Sequence, residues 1–320
     1  MSAAADSPDE HAAPAGRIAE GRLSAVIRSA GERTVGRCRD LLASQMQGPI
    51  EAIAVAPFAE AVILGFEIGL DQSRDWTLIV DADVLLCQSA TRQFLAFAET
   101  ASPDDCRLNL TVYDWMWGGS LCAGVHLYRT RHLEAALKVA RRRLPSDRPE
   151  TVVTQTLLAE SGLTGQLGSA TIGLHDCGQW RADLYRTGYV HGQRHRRGTE
   201  PLVRGWRRRA ATDPDTAAFL AGYEDGRHAP ERYAVTDIRP FAERSRNRLA
   251  ELGIEEKLPL REDEWTAGQV DAAVDAAAPT GEFRQYHRWA NPTRADRLRH
   301  WVAGLMPEGL KRPLRSLRDR

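Results

Sequence analysis

The chain has 320 residues, 42% hydrophobic and 27% charged, with 43 basic side chains against 43 acidic ones. That length and apolar content suit one large globular domain or a domain with an extension. Zero net charge removes the global field that would favour nucleic acid or an acidic surface as partner. Five scattered cysteines (Cys38, Cys87, Cys106, Cys122, Cys177) lack CxxC spacing, which argues against a disulfide framework or a thiolate zinc site.

Residues 1–20 are rich in Ala, Pro and acidic side chains and carry no apolar signal core. They read as a disordered tail. With no window of about eighteen apolar residues, the expected compartment is the cytoplasm. From Leu23 strand and helix patterns alternate. LSAVIRS predicts a strand, GERTVGRCRDLLASQM an amphipathic helix, IEAIAVAP a second strand and AEAVILGFEIGLDQ a second helix. The apolar run WTLIV predicts a strand covered on both faces. A short helix follows around Gln93 to Glu99, then a strand at Arg107 to Tyr113. LCAGVHLYR predicts another strand, HLEAALKVARRRL its helix, and RPETVVTQTL opens a further one. Such alternation implies an α/β domain over 21–199, with a mostly parallel sheet and helices on both faces.

Residues 200–320 lack convincing strand patterns and read as a helical extension. Near its end Leu298, Trp301, Val302, Leu305 and Met306 share one helical face, with arginines opposite. This basic amphipathic helix suits an anionic membrane surface, or docking of its apolar face on the body of the protein.

The third strand ends in WTLIVDADVLL. Asp81 and Asp83 lie where that strand leaves the sheet, at the carboxyl edge where open α/β sheets bind ligands. Read as extended chain, i and i+2 point the same way. Two hard carboxylates so placed can share Mg2+ or Mn2+. The turn after the first strand, Ser29 to Arg33 flanked by Arg28, offers guanidinium groups to a nucleotide, or simply caps the following helix. His175, in GLHD, is a possible third metal ligand. His191 and His195 share a helical face without the glutamate of HExxH, so they read as phosphate contacts or helix surface. For acid–base work the candidates are Asp114, before the WMWGGS loop, Glu150, at a helix start, and Asp176. Trp115 and Trp117 flank that loop, where rings stack on sugars or pack over the sheet edge.

Taken in chain order, these motifs resemble the GT-A class of nucleotide-sugar glycosyltransferases, DxD-containing and family-2-like, over Leu23 to about His195. The resemblance rests on the Arg-Ser-x-Gly-Glu-Arg turn, the helix before the DAD strand, DAD itself, LCAGVHLYR and GLHD. It implies a Rossmann-like GT-A fold and hexosyl transfer from a UDP- or GDP-sugar to a polysaccharide or lipid-linked acceptor. The donor diphosphate would bridge Mn2+ or Mg2+ held by Asp83, with Asp81 on the ribose or the metal and His175 completing the set. Arg28 and Arg33 would serve the nucleotide. In inverting members a carboxylate opening a later helix is the base, which points to Glu150, although the paired Glu-Asp often seen there is missing. Two alternatives share this outline. A sugar-phosphate nucleotidylyltransferase would need a glycine-rich triphosphate loop that the opening strand lacks. The other is a non-catalytic member that binds a nucleotide sugar.

Overall fold

The computed structural model describes residues 22–146, 148–195, 198–230 and 241–290. The N-terminal tail and the C-terminal amphipathic helix expected from sequence lie outside the described residues. Eight strands form one mixed sheet in the order β2-β1-β3-β7-β5-β8-β4, with β6 paired to β5. They are β1 (Leu23–Ser29), β2 (Ile50–Ala54), β3 (Trp76–Asp81), β4 (Val84–Leu86), β5 (Asp105–Asp114), β6 (Gly119–Leu121), β7 (Val125–Arg129) and β8 (Thr164–His175). β1, β2 and β3 run parallel, and so do β5 and β8. β7 lies antiparallel between β3 and β5. The carboxyl ends of β1, β3, β5 and β8 therefore share one edge of the sheet.

Period-two alternation sends each strand into two cores. Leu23, Ala25 and Ile27 of β1, with Leu78 and Val80 of β3, pack against Leu41 and Leu42 of α1 (Val35–Ala43) and Phe94 of α3 (Ala90–Glu99). On the opposite face Ile79 meets Val62 and Phe66 of α2 (Phe58–Gln72), Leu133 and Leu137 of α4 (Leu133–Arg143), and Val153 and Leu157 of α5 (Pro149–Ser161). Helices thus cover both faces.

β8 is the element that sequence does not announce. TGQLGSATIGLH is rich in Gly, Ser and Thr, and much of its first half is exposed, so it carries no apolar signal of a strand. His175 is accordingly the last residue of a strand rather than a residue after a turn. β3 likewise stops at Asp81, and Ala82 and Asp83 form a turn. The chain then crosses to β4, which pairs antiparallel with β8 so that Val84 faces His175.

Among the described residues after β8 there are helices only. They are α6 (Arg181–Arg194), α7 (Glu200–Ala210), α8 (Pro214–His228), α9 (Phe241–Glu251), α10 (Ala267–Ala276) and α11 (Gly281–Ala290). None of the described helices is long and apolar enough to cross a membrane. Trp206 of α7, Phe219 and Tyr223 of α8 and Phe283 of α11 enclose a core with Met116 and Trp117 from the loop after β5. Residues 254–266 form an irregular strap. It is latched by Arg33, whose Nε donates to the Leu258 carbonyl at 2.7 Å and whose Nη2 donates to Glu264 at 2.8 Å.

α6 and α8 touch backbone to backbone, which only glycine permits. A Cβ at Gly222 would lie 1.9 Å from the Tyr185 carbonyl oxygen, and one at Gly188 would lie 2.0 Å from that of Phe219. Gly222→Ala must push the helices apart and should destabilise the fold by about 1–3 kcal/mol in urea denaturation. Gly36→Ala, in open space on α1, should be neutral or stabilising by up to about 1 kcal/mol. Equal stability of the two variants would contradict this packing.

Candidate active site

The shared sheet edge collects the charged side chains. Arg28, one residue short of the end of β1, is cross-strand partner to Asp81 at the end of β3. Only 3% of Arg28 is exposed. Its Nε donates to Asp81 Oδ1 at 2.9 Å, and its Nη1 donates to Glu150 Oε1 at 2.9 Å. The Phe58 ring sits 4.6 Å from the guanidinium carbon. Burial opposes the Arg28 charge, but Asp81 and Glu150 outweigh it and keep the group protonated.

Glu150 opens α5 behind Pro149. Its second oxygen lies 3.3 Å from His126 Nε2. Burial, then the adjacent Arg107, push His126 down to about 4, so the ring is neutral. Its Nδ1 accepts from Arg107 Nη2 at 2.7 Å, which leaves Nε2–H to donate to Glu150. Burial resists ionisation of Glu150, yet Arg28 and His126 prevail and hold it well below the ordinary carboxylate range. Asp81 shares the same cation and fares worse. Burial, opposed by Arg28 and aided by the charges of Glu150 and Asp83, raises it to about 7.

Asp83 turns the other way. The peptide N–H of Asp176 donates to the Asp83 carbonyl at 3.3 Å. The Asp83 carboxylate lies 3.8 Å from His175 Nε2. Single ligand atoms of Asp83, His175 and Asp176 fall within 4.8 Å of one another, a group able to hold a metal ion. Asp83 Oδ1 and Asp176 Oδ2 are buried and have no hydrogen-bond partner among the described residues. Unsatisfied buried carboxylate oxygens are costly, and a divalent cation satisfies both. Asp176 also adopts a left-handed backbone, φ 59°, the kind of strain that persists where surrounding structure enforces it. Burial raises both Asp83 and Asp176 to about 6, with the charge of His175 opposing. His175 itself is driven well above its ordinary value. Burial works against its charge, and Asp176, Asp83 and Asp114 overcome it.

Two clefts meet at this edge. The first, about 230 Å³, is walled by Ser29, Ala30, Glu32, Val55, Ala56 and Phe58. The second, about 440 Å³, has Trp117, His126, Arg148, Glu150 and Tyr286 in its wall. Asp81, His175, His191 and Arg194 border both.

Several positions differ from the sequence expectation. The i, i+2 argument for a shared cation assumes extended chain. The turn at Ala82–Asp83 separates the carboxylates, so Asp81 turns to Arg28 and lies outside the metal-capable group, while Asp176 lies inside it. Arg33 borders neither cleft. All three of its guanidinium nitrogens are engaged, with the carbonyls of Leu258 and Gly178 and with Glu264. Asp114 borders the second cleft but is 2% exposed, and its oxygens are engaged by His175 at 2.9 Å and the Trp117 N–H at 2.7 Å. Sequence reasoning passed over His126, Arg107, Phe58 and Arg186. For Arg186 a signal existed, since Arg186, Val190 and Arg194 recur every fourth residue along α6 and all border the first cleft.

No protein-family model matches the sequence, and no curated protein matches it. Among solved structures the chain is similar to the mannosyltransferase PcManGT from Pyrobaculum calidifontis in complex with GDP-Man and Mn2+. That pair shares 13% identity, covers 83% of each chain and has a TM-score of 0.38. It is also similar to residues 1–349 of S. aureus TarS, at 11% identity over 85% of this chain and 92% of that one, TM-score 0.32. A CMP:2-keto-3-deoxy-manno-octonic acid synthetase complexed with CTP matches at 10% identity over 48% of this chain and 91% of its own, TM-score 0.32.

Cation binding here requires ionised Asp83 and Asp176, whose raised pKa values of about 6 let protons compete at lower pH. A raised carboxyl pKa keeps the proton longer as pH climbs, so affinity must increase as pH passes through that value. His175, held protonated above its ordinary value, must also give up a proton to ligate, so the rise in Tm caused by Mn2+ should be small at about pH 5 and keep growing above about pH 7.5. An equal rise at both would contradict the assignment.

Proposed function

We propose that the chain is a metal-dependent glycosyltransferase moving a sugar from a nucleoside-diphosphate sugar to a glycan or lipid-linked acceptor. One observation carries this: a metal-capable group with two orphaned buried oxygens stands where two clefts of different chemistry meet. A single-substrate binder has no need of the second cleft.

In this proposal the first cleft takes the nucleotide. The Phe58 ring and the apolar Val55–Ala56 wall suit a base, and Asp81, oriented by Arg28, suits a ribose hydroxyl. Arg186 and Arg194 on α6 face the same cleft and suit the diphosphate. Asp83, His175 and Asp176 would hold Mn2+ or Mg2+, which as a Lewis acid supplies charge stabilisation to the departing nucleoside diphosphate. In the second cleft the half-buried Tyr286 offers an aromatic ring to an acceptor sugar, backed by the buried Trp117. Glu150, whose oxygens are held by Arg28 and His126, is the carboxylate there placed to take the acceptor's proton. Its depressed pKa keeps it ionised at neutral pH but weakens it as a base, so it takes the proton only as the acceptor oxygen attacks.

The turn after β1 weighs against nucleotidyl transfer. The Ala30 N–H donates to Glu32 Oε2 at 2.6 Å and the Gly31 N–H to Ser29 Oγ at 3.0 Å. With its amides committed and a carboxylate inside it, this turn cannot cradle a triphosphate as a glycine-rich loop does.

The test is incubation with UDP-, GDP- and CMP-sugars, each with and without Mn2+, reading thermal stabilisation and release of nucleotide or sugar transfer. One donor class should stabilise the protein only with metal. Asp83→Ala should lower turnover by at least about a hundredfold. Glu150→Gln should lower turnover by about 10²–10⁴-fold with donor affinity preserved. Pyrophosphate release from a nucleoside triphosphate and a sugar phosphate would instead identify a nucleotidylyltransferase, and no response to any nucleotide would sink both.

A further inference from the structure

We propose that Asp114 is a positioning residue for the cation site, one that fixes the tautomer and the aim of His175. The proposal rests on the metal-dependent reading above and adds to it a partner behind the ligand. β5 and β8 run parallel with Asp114 and His175 as cross-strand partners. The Trp115 N–H donates to the His175 carbonyl at 3.0 Å, which locks the two strand ends together. Asp114 Oδ2 lies 2.9 Å from His175 Nδ1. Its other oxygen is already committed, accepting the Trp117 N–H at 2.7 Å.

A carboxylate only accepts, so the ring nitrogen facing it must carry the proton. Asp176 Oδ2 lies 3.5 Å from the same Nδ1 without forming a hydrogen bond, and its negative charge favours the proton on that side of the ring. Nε2, the nitrogen towards Asp83, is left to offer its lone pair to a cation. The ring has little room to turn away. Gly124, at φ +64°, backs onto it so closely that a Cβ would lie 3.2 Å from His175 Cδ2. Carboxylates behind metal-bound histidines act in this way, and losing one typically costs about 10–100-fold in metal affinity.

Asp114→Asn discriminates this role from a merely structural one. With one position held by the Trp117 N–H, the asparagine must accept there with its oxygen, so its NH2 faces His175 Nδ1. That donor makes Nδ1 an acceptor and moves the proton to Nε2, which removes the lone pair aimed at the cation. By electron paramagnetic resonance of free Mn2+, the variant should bind about 10–100-fold more weakly than wild type, with the metal-free Tm within a few degrees. Unchanged Mn2+ affinity in Asp114→Asn, while Asp83→Ala abolishes binding, would overturn the positioning role and leave the cation site standing. Absence of Mn2+ binding in the wild type would sink the cation site itself. Should the variant fail to fold, nitrogen NMR of the wild type with Mg2+ decides: a protonated Nδ1 and bare Nε2 on His175 support the proposal, and the reverse overturns it.

Discussion

A single buried guanidinium organises the candidate site. Arg28 reaches from β1 to Asp81 on β3 and to Glu150 on α5, 122 residues further along the chain. Taking charges out of water is expensive, and removing one partner of such a buried pair costs about 3–5 kcal/mol. The arrangement thus ties the sheet edge to the start of α5, and with it the walls of both clefts. It also distributes charge unequally. One cation serves two carboxylates, Glu150 gains a second donor in His126, and Asp81 is left with a raised pKa. The cluster at Asp83, His175 and Asp176 has acid to spare and unsatisfied oxygens, which makes room for a cation where Arg28 does not reach.

Topology decides which side chains can meet. Because β7 is inserted antiparallel, β3, β5 and β8 keep a common direction and end at one edge, bringing Asp81, Asp114 and His175 together from positions up to 94 residues apart. The turn after Asp81 then carries the chain across that edge to pair with β8, and this places Asp83 against His175. α6 returns over the same edge, held at backbone contact by Gly188 and Gly222 on facing helices. Its arginines and His191 complete the rim. From the helices beyond residue 200, Tyr286 of α11 reaches the wall of the second cleft.

Much of the fold was legible in the sequence, because the strands that matter most are continuous apolar runs and the helices between them are periodic. WTLIV could hardly be anything but a buried strand, and Pro149–Glu150 reads plainly as a helix start. β8 was not legible, since its residues pair through backbone rather than through an apolar face, and with it went the strand-end position of His175. The candidate residues were chosen by type and place, and Asp81, Asp83, Asp114, Glu150, His175 and Asp176 lie near one edge of the sheet. Their partnerships were not legible, because hydrogen-bond pairing depends on contacts between distant segments. Nothing local to Arg33 signals that a strap 225 residues away engages it, and nothing local to Asp83 shows that the strand has already ended. His126 and Arg107 lie within apolar strand patterns where a polar residue reads as an outward face.

The most direct test of the cation-centred account is anomalous diffraction at the manganese edge from crystals soaked in Mn2+ and a nucleoside diphosphate. A peak about 2.0–2.3 Å from Asp83, His175 Nε2 and Asp176, with diphosphate oxygens completing the sphere, is the expected result. A peak held instead by Asp81, or none at this edge of the sheet, would contradict the account.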